Sequence, residues 1–236
     1  MLTLVAAIVL GASSASAVDL KSIDALYWHR DQGRNLEKHI AELDALLKVS
    51  PRDPELNWRW GRAVVRRGER QTRKAPRLAD FLLAEDALRR AVAAAPNSAD
   101  AHFYYGVALG RRGETQGILK SLFLLKPIQK EMHEVLRLDP KYCGAHRVLG
   151  EILWQVPRLA GGDKRRAITE FEYATQDCPH ATTNYLPLAE ADIKLGRKDA
   201  AIFLLEGLLS EKEPDDPAAA PGDLAEGRKL LKTISP

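Results

Sequence analysis

Leu83-Ala84-Glu85-Asp86-Ala87-Leu88-Arg89-Arg90-Ala91-Val92-Ala93-Ala94-Ala95-Pro96 runs into Asn97-Ser98-Ala99-Asp100-Ala101-His102-Phe103-Tyr104-Tyr105-Gly106, and the spacing in this stretch recurs along the chain. Small Ala84, large Leu88, small Ala91 and then Pro96 close one helix; the next opens and carries Tyr105-Gly106, with the glycine ten residues past the proline. A bulky residue beside a glycine is what close packing of two antiparallel helices requires. The frame repeats at Ile128, Met132, Val135, Pro140 and Leu149-Gly150, and at Ala167, Phe171, Ala174, Pro179 and Leu188-Ala189. It fits more loosely upstream, through His39, Leu43, Leu46, Pro51 and Trp60-Gly61. Downstream, Gly196, Ala201, Leu205 and Leu208 continue it without a closing proline. About five helical hairpins are implied. Apolar spacings of three and four recur, alternating β-branched runs are absent, and Ala and Leu abound, so the fold class is all-α.

On these residues the chain resembles the tetratricopeptide repeat family, whose unit is a helix-turn-helix with this order of small and large positions. The resemblance covers roughly Asp24 to Leu209. The family period is about 34 residues, whereas the prolines at 51, 96, 140 and 179 are 45, 44 and 39 apart. The surplus falls inside the hairpins, at about Arg67–Asp80, Arg112–Lys126 and Pro157–Asp163, and is read as lengthened connections. With Trp154-Gln155-Val156-Pro157 followed by Gly161-Gly162-Asp163, the chain is similar to the periplasmic tetratricopeptide component associated with TRAP-type transporters. It resembles, more distantly, the regulator-of-microtubule-dynamics group. The first resemblance implies a protein that docks with a substrate-binding protein and passes a small hydrophobic or anionic ligand.

Leu4 to Leu10 are almost wholly apolar and lead to Ala15-Ser16-Ala17, a small-x-small cleavage pattern, so residues 1–17 read as a signal peptide cut before Val18. The segment is shorter than the roughly 20 apolar residues a membrane span needs, and no other stretch is long enough. A repeat domain over residues 18–210, an acidic proline-rich linker over 211–222 and a capping helix over 223–236, N-capped by Asp223, complete the organisation. Export implies a periplasmic or secreted protein. Charged residues make up 28% of the chain and the net charge is +3, which gives no electrostatic footprint for nucleic acid.

Zinc-protease, nucleophile-elbow and phosphate-loop motifs are missing, and His29, His39, His102, His133, His146 and His180 lack metal-ligand spacing. His102 and His146 occupy the large position of the repeat and read as core or rim residues. The expectation is therefore a non-enzymatic protein without cofactor or metal: an exported scaffold holding a protein or peptide partner of the cell envelope on its concave face. The alternative is the transporter-associated ligand carrier. The repeat register places Trp28, Trp58, Arg62, Phe103, Arg147, Glu151, Trp154, Leu186 and Glu190 on that wall, with Trp60 packed inside its hairpin. Trp58 and Trp60 cannot share a face, because two residues along a helix turn by about 200°.

Four further features bear on partners. Ile118, Leu122, Phe123 and Leu125 form an apolar patch ahead of Pro127, which is read as opening the next helix. The patch is covered within the chain or joins subunits of a homo-oligomer. The basic run Arg66–Arg77 is a solvated connector or the site of an acidic partner or anionic lipid. Gly161-Gly162 before Asp163 could hold an anion but reads more simply as a turn. Cys143 opens one helix and Cys178 closes its antiparallel neighbour; in an oxidising compartment they can pair, the other reading being two unrelated buried thiols.

Overall fold

The computed structural model of the protein describes residues 19–235, so the expected signal peptide lies outside the described residues. Eleven α-helices are present among those residues: α1 Leu20–Trp28, α2 Asn35–Val49, α3 Pro54–Arg70, α4 Lys74–Ala94, α5 Ala99–Gln116, α6 Ile118–Leu138, α7 Cys143–Gln155, α8 Lys164–Asp177, α9 Tyr185–Lys194, α10 Lys198–Ser210 and α11 Ala220–Ile234. They pack as consecutive antiparallel pairs, five hairpins in all, followed by α11 against α10 and α9.

Local chemistry sets the helix starts. Asp53 accepts a hydrogen bond from the Leu56 amide with Pro54 at the first helical position, Ser98 accepts from Ala101, and Asp163 accepts from both Arg165 and Arg166. The repeating small and large positions meet as the spacing requires. Ala84, Leu88 and Ala91 are fully buried, as are Ala167 and Ala174 flanking a buried Phe171. A Cβ at Gly61 would sit 2.5 Å from Leu88 Cγ, and one at Gly150 would sit 2.5 Å from Phe171 Cε1. No residue but glycine fits those crossings.

The surplus residues lie where the sequence places them, but most of them are helix rather than connection. α3 and α4 are separated only by residues 71–73, and α5 and α6 only by Gly117, whose φ of 110° admits the reversal. Only the third surplus is a loop: it holds a 3₁₀ turn over Arg158–Ala160 and ends at Gly161 in the left-handed region. Pro127 does not open a helix; it sits inside α6. The bond it removes would have run to the carbonyl of Phe123, and both residues are solvent-exposed, so water can take over the freed acceptor. Asp223 is likewise not the cap of α11 but lies in its first turn, accepting a hydrogen bond from Thr182 Oγ1 at 2.6 Å.

A lock unseen in the sequence joins the repeats. Six residues after each inter-repeat proline, a side chain reaches back to the proline carbonyl: Asn57 Nδ2 to Pro51 at 3.0 Å, His102 Nε2 to Pro96 at 3.0 Å, His146 Nε2 to Pro140 at 3.1 Å and Tyr185 Oη to Pro179 at 2.8 Å. The two histidines are buried and use their other nitrogen on a carboxylate of the paired helix, Glu131 at 2.6 Å and Glu170 at 2.7 Å. The His146 imidazole, facing two acceptors, is best satisfied when both nitrogens carry protons. The Glu170 hydrogen bond accordingly raises the His146 pKa above its ordinary value, against the opposing effect of burial.

A pKa raised on folding stabilises the fold fully below the unfolded value, about 6.5, and the contribution is lost as pH rises through the folded value. His39, whose pKa is lowered first by burial, works in the opposite direction and favours the fold above that value. Comparing wild type with His146→Gln isolates the first effect. The gap between their melting temperatures should be widest near pH 5.5 and shrink toward pH 8.5. A gap independent of pH would show that the imidazolium form is not what Glu170 holds.

Candidate binding surfaces

At α3 the expected concave wall is filled by the chain itself. The Arg62 guanidinium lies 3.6 Å from the centroid of the Tyr27 ring and 4.9 Å from that of Trp58, and it pairs with Asp24 Oδ1 at 2.6 Å. Trp58 is only 6% exposed; it stacks on Tyr104 at 5.9 Å with 5° between the planes, and its Nε1 donates to Glu55. Phe103 is buried against Tyr104 and Tyr142. The placement of Trp58, Arg62 and Phe103 on an open wall is thus corrected. Two side chains of α1, Asp24 and Tyr27, reach over to Arg59 and Arg62 on the face of α3 that the repeat register leaves to solvent. Trp60 is half-buried, with Nε1 donating to Asp44 at 2.7 Å. Burial pushes the Tyr104 and Tyr142 phenols up, so both stay neutral beside Arg62.

The rest of the wall is less covered. Trp28 and Glu190 are exposed, Arg147 pairs with Glu151 four residues on, Trp154 lies under Lys164 Nζ at 5.1 Å, and Leu186 packs toward the α10 cluster. The chain also closes on itself. Arg30, at the end of α1, holds Asp216 with two hydrogen bonds of 2.8 and 2.7 Å across 186 residues, and its carbonyl accepts from Arg70 at 2.6 Å. The acidic stretch before α11 therefore docks on the first hairpin instead of hanging free.

An open groove remains between α5, α6 and α7. Gly106 and Gly110 line it from α5, Leu124 and Leu125 from α6, and Val148 and Ile152 from α7, around a cavity of about 190 Å³. Gly110 leaves space here, since a Cβ on it would meet only Ile128 Cδ1 at 3.8 Å, whereas a Cβ on Gly106 would run into Met132 Cε at 2.4 Å. Beside the groove runs the first half of α6, where Ile118 is 78%, Leu122 46% and Phe123 79% exposed. Of the four residues in the sequence patch, these three form a ridge while Leu125 faces the groove; Leu119 joins the ridge and does not stand out in the sequence. A larger hollow of about 760 Å³ beside Trp154 is edged by Arg158, Lys164 and Arg165. Among the described residues no group of three His, Cys, Asp or Glu side chains could hold a metal ion, and no helix is long and apolar enough to cross a membrane.

Cys143 and Cys178 are joined by a disulfide, with a Cα–Cα distance of 6.0 Å. It ties the start of α7 to the end of α8.

Residues 19–161, more than half of the chain, match the family described as regulator of microtubule dynamics protein 1-3. The chain belongs to that family. It is the second of the two groups that the sequence resembles, and the structure gives this member of the regulator-of-microtubule-dynamics family a tetratricopeptide-like solenoid. Among solved structures, TTC0263, a thermophilic tetratricopeptide protein of Thermus thermophilus, is 17% identical; 90% of this chain and 98% of that one align with a TM-score of 0.66. At that identity the likeness shows the fold alone. YrrB, described as a tetratricopeptide protein with an unusual peptide-binding site, aligns over 86% of this chain and 90% of its own at 15% identity and a TM-score of 0.46. No curated protein sequence matches the chain significantly.

Proposed function

We propose that the chain is an exported, non-catalytic scaffold that binds a protein partner at the groove and ridge of α5, α6 and α7. The observation that carries this reading is the pairing of an apolar groove with an exposed apolar ridge on one hairpin. Solvent alone would select polar side chains at Ile118, Leu119, Leu122 and Phe123, and contiguous apolar surface of this kind marks interaction sites. Export is supported by the Cys143–Cys178 bond, since disulfides persist in oxidising compartments. The reading in which a small ligand passes through the interior has less behind it, because the space around Arg62 is filled by Tyr27, Trp58 and Tyr104.

Site-specific photocrosslinking in the native host tests the surface. A benzophenone side chain at Val148, in the groove, should give a discrete heavier adduct, while the same group at Phe203, 77% exposed on α10, should not. No adduct at Val148, or the same adducts at both positions, would remove the basis for this surface.

A further inference from the structure

We propose that one edge of the solenoid, formed by the turns inside its second, third and fourth hairpins, rests on an anionic membrane surface. The inference goes beyond the reading of the groove as the seat of a protein partner, and it uses another side of α6. At 100° per residue, Ile118 and Leu122 lie within about 60° of the groove-lining Leu125, so a partner in the groove meets them. Leu119 and Phe123 lie about 180° and 140° from the groove-lining Ile128 and look the other way.

The helices alternate in direction, so the last turns of α3, α5 and α7 and the first turns of α4, α6 and α8 gather along one edge. Contacts between the hairpins show the alignment. Glu69, near the end of α3, pairs with Arg111, near the end of α5, at 2.7 Å. Glu114 and Val156, from the ends of α5 and α7, line the same groove as Ser121 from the start of α6. Because each Cα–Cβ bond tilts toward the N-terminus of its helix, the first-turn side chains of α4, α6 and α8 lean out over this edge.

Cations crowd the edge. Arg73 and Lys74 stand at the first of the three turns, Lys120 at the second, and Arg158, Lys164 and Arg165 at the third, all of them exposed. The carboxylates at the same turns are already held: Glu69 by Arg66 and Arg111, Asp80 by Arg67, Glu114 by Arg111, while Asp163 caps α8. The six cations are therefore in excess. The opposite edge, made by the turns between repeats, carries Asp53, Asp100, Asp139 and Asp177 against Arg52 and Lys141. A net charge of only +3 thus hides a molecule with one basic edge.

Apolar side chains stand among the cations. Leu119 and Phe123 are 71% and 79% exposed, and Leu159, in the third turn, is wholly exposed. Cations draw a protein to anionic headgroups, and apolar groups at the same level enter the boundary between headgroups and acyl chains; peripheral attachment needs both. A lipid surface meets both along the whole edge, where an acidic peptide would cover one turn. The basic run Arg66–Arg77, whose role the sequence leaves open, becomes one end of this contact.

The test is flotation of the purified mature protein with vesicles of phosphatidylethanolamine and phosphatidylglycerol, compared with vesicles of phosphatidylcholine alone. Binding to the first and not the second is expected at about 0.15 M salt, with loss as salt rises to about 0.5 M. Lys74→Glu/Arg165→Glu should weaken it by about 100-fold or more, since each cation near an anionic surface contributes about fivefold and reversal adds repulsion. Glutamate in the first turn of a helix suits the helix dipole, so the fold should hold. Arg52→Glu/Lys141→Glu, the same change of charge on the opposite edge, should stay within about threefold of wild type. Leu119→Ser/Phe123→Ser should weaken binding at least about tenfold at an unchanged melting temperature, because both side chains already face solvent. No binding to the phosphatidylglycerol vesicles, equal binding to phosphatidylcholine, or equal losses from the two charge variants overturns the proposal. So does edge-dependent binding of poly-L-glutamate without binding to vesicles, which would make the edge a site for acidic protein. The vesicle assay contains no partner protein, so an adduct at Val148 without vesicle binding sinks this inference alone. Vesicle binding without an adduct sustains it while the groove loses its partner.

Discussion

Trp58→Ala is expected to cost about 3–5 kcal/mol of folding stability, the range for emptying a buried indole site. In a chain of this size that lowers the melting temperature by roughly 6–20 °C. The indole does three things at once. It stacks on Tyr104, it carries the Arg59 guanidinium over its ring at 4.3 Å and faces Arg62 at 4.9 Å, and its Nε1 donates to Glu55. Alanine leaves a cavity beside Arg62, a nearly buried cation that keeps Asp24 and Tyr27 but loses one of its aromatic faces. The width of that range reflects how far α1 can settle into the space. Phe203→Ala is the control, since Phe203 is 77% exposed on α10 and its removal should change stability by little. Urea or thermal unfolding of the two variants decides the matter. If Trp58→Ala melts within a degree or two of wild type, Trp58 is a wall residue after all and the reach of the α1 side chains over α3 is not as described.

That reversal of role shows what could be read from the chain and what could not. The hairpins were legible because their signal is local: Ala84, Leu88, Ala91 and Pro96 fix a helix, its buried stripe and its end within fourteen residues. The two cysteines were placed for the same reason, as they mark the ends of one hairpin, while the sequence left open whether they pair. The extra residues in the second and third hairpins were located but given the wrong state. Gly68 and Pro76 look like connector chemistry, yet Gly68 lies where Phe81 and Asp80 press against α3, and Pro76 falls in the first turn of α4, where its missing N–H costs nothing. The wall failed for a different reason. A repeat register says which side of a helix points away from its own hairpin, but not what comes to cover that side. Asp24 reaches Arg62 over 38 residues and Asp216 reaches Arg30 over 186, and neither contact leaves a trace in any window of the sequence. The groove was half visible: Leu125 stood out as apolar, with Leu122 and Phe123 marking the ridge beside it, whereas Gly110 contributes by what it lacks.

Reducing the Cys143–Cys178 bond is expected to destabilise the protein by about 3–4 kcal/mol, lowering the melting temperature by roughly 6–16 °C. The bond joins residues 35 apart in sequence, one at the first position of α7 and the other just past Asp177, the last residue of α8. In the unfolded chain the closed loop contains both helices and the 156–163 connection, so the bond removes the entropy of a long segment that otherwise samples open conformations. In the folded chain the same ends are already held by the Pro140 lock to His146 and by the His146–Glu170 pair, so reduction need not move them. The destabilisation should therefore appear without a change of fold: circular dichroism of the reduced protein matches that of the oxidised form at 25 °C, and only the transition shifts. Cys143→Ser/Cys178→Ser should melt with the reduced wild type and be indifferent to reductant, which separates loss of the bond from any action of the reductant itself. Thiol titration of denatured, unreduced protein taken from the native host should find no free cysteine. Two free thiols there would show a bond that does not form in the cell and would withdraw the support it lends to export, while leaving the helix pairing that brings the two residues together to stand on its own packing.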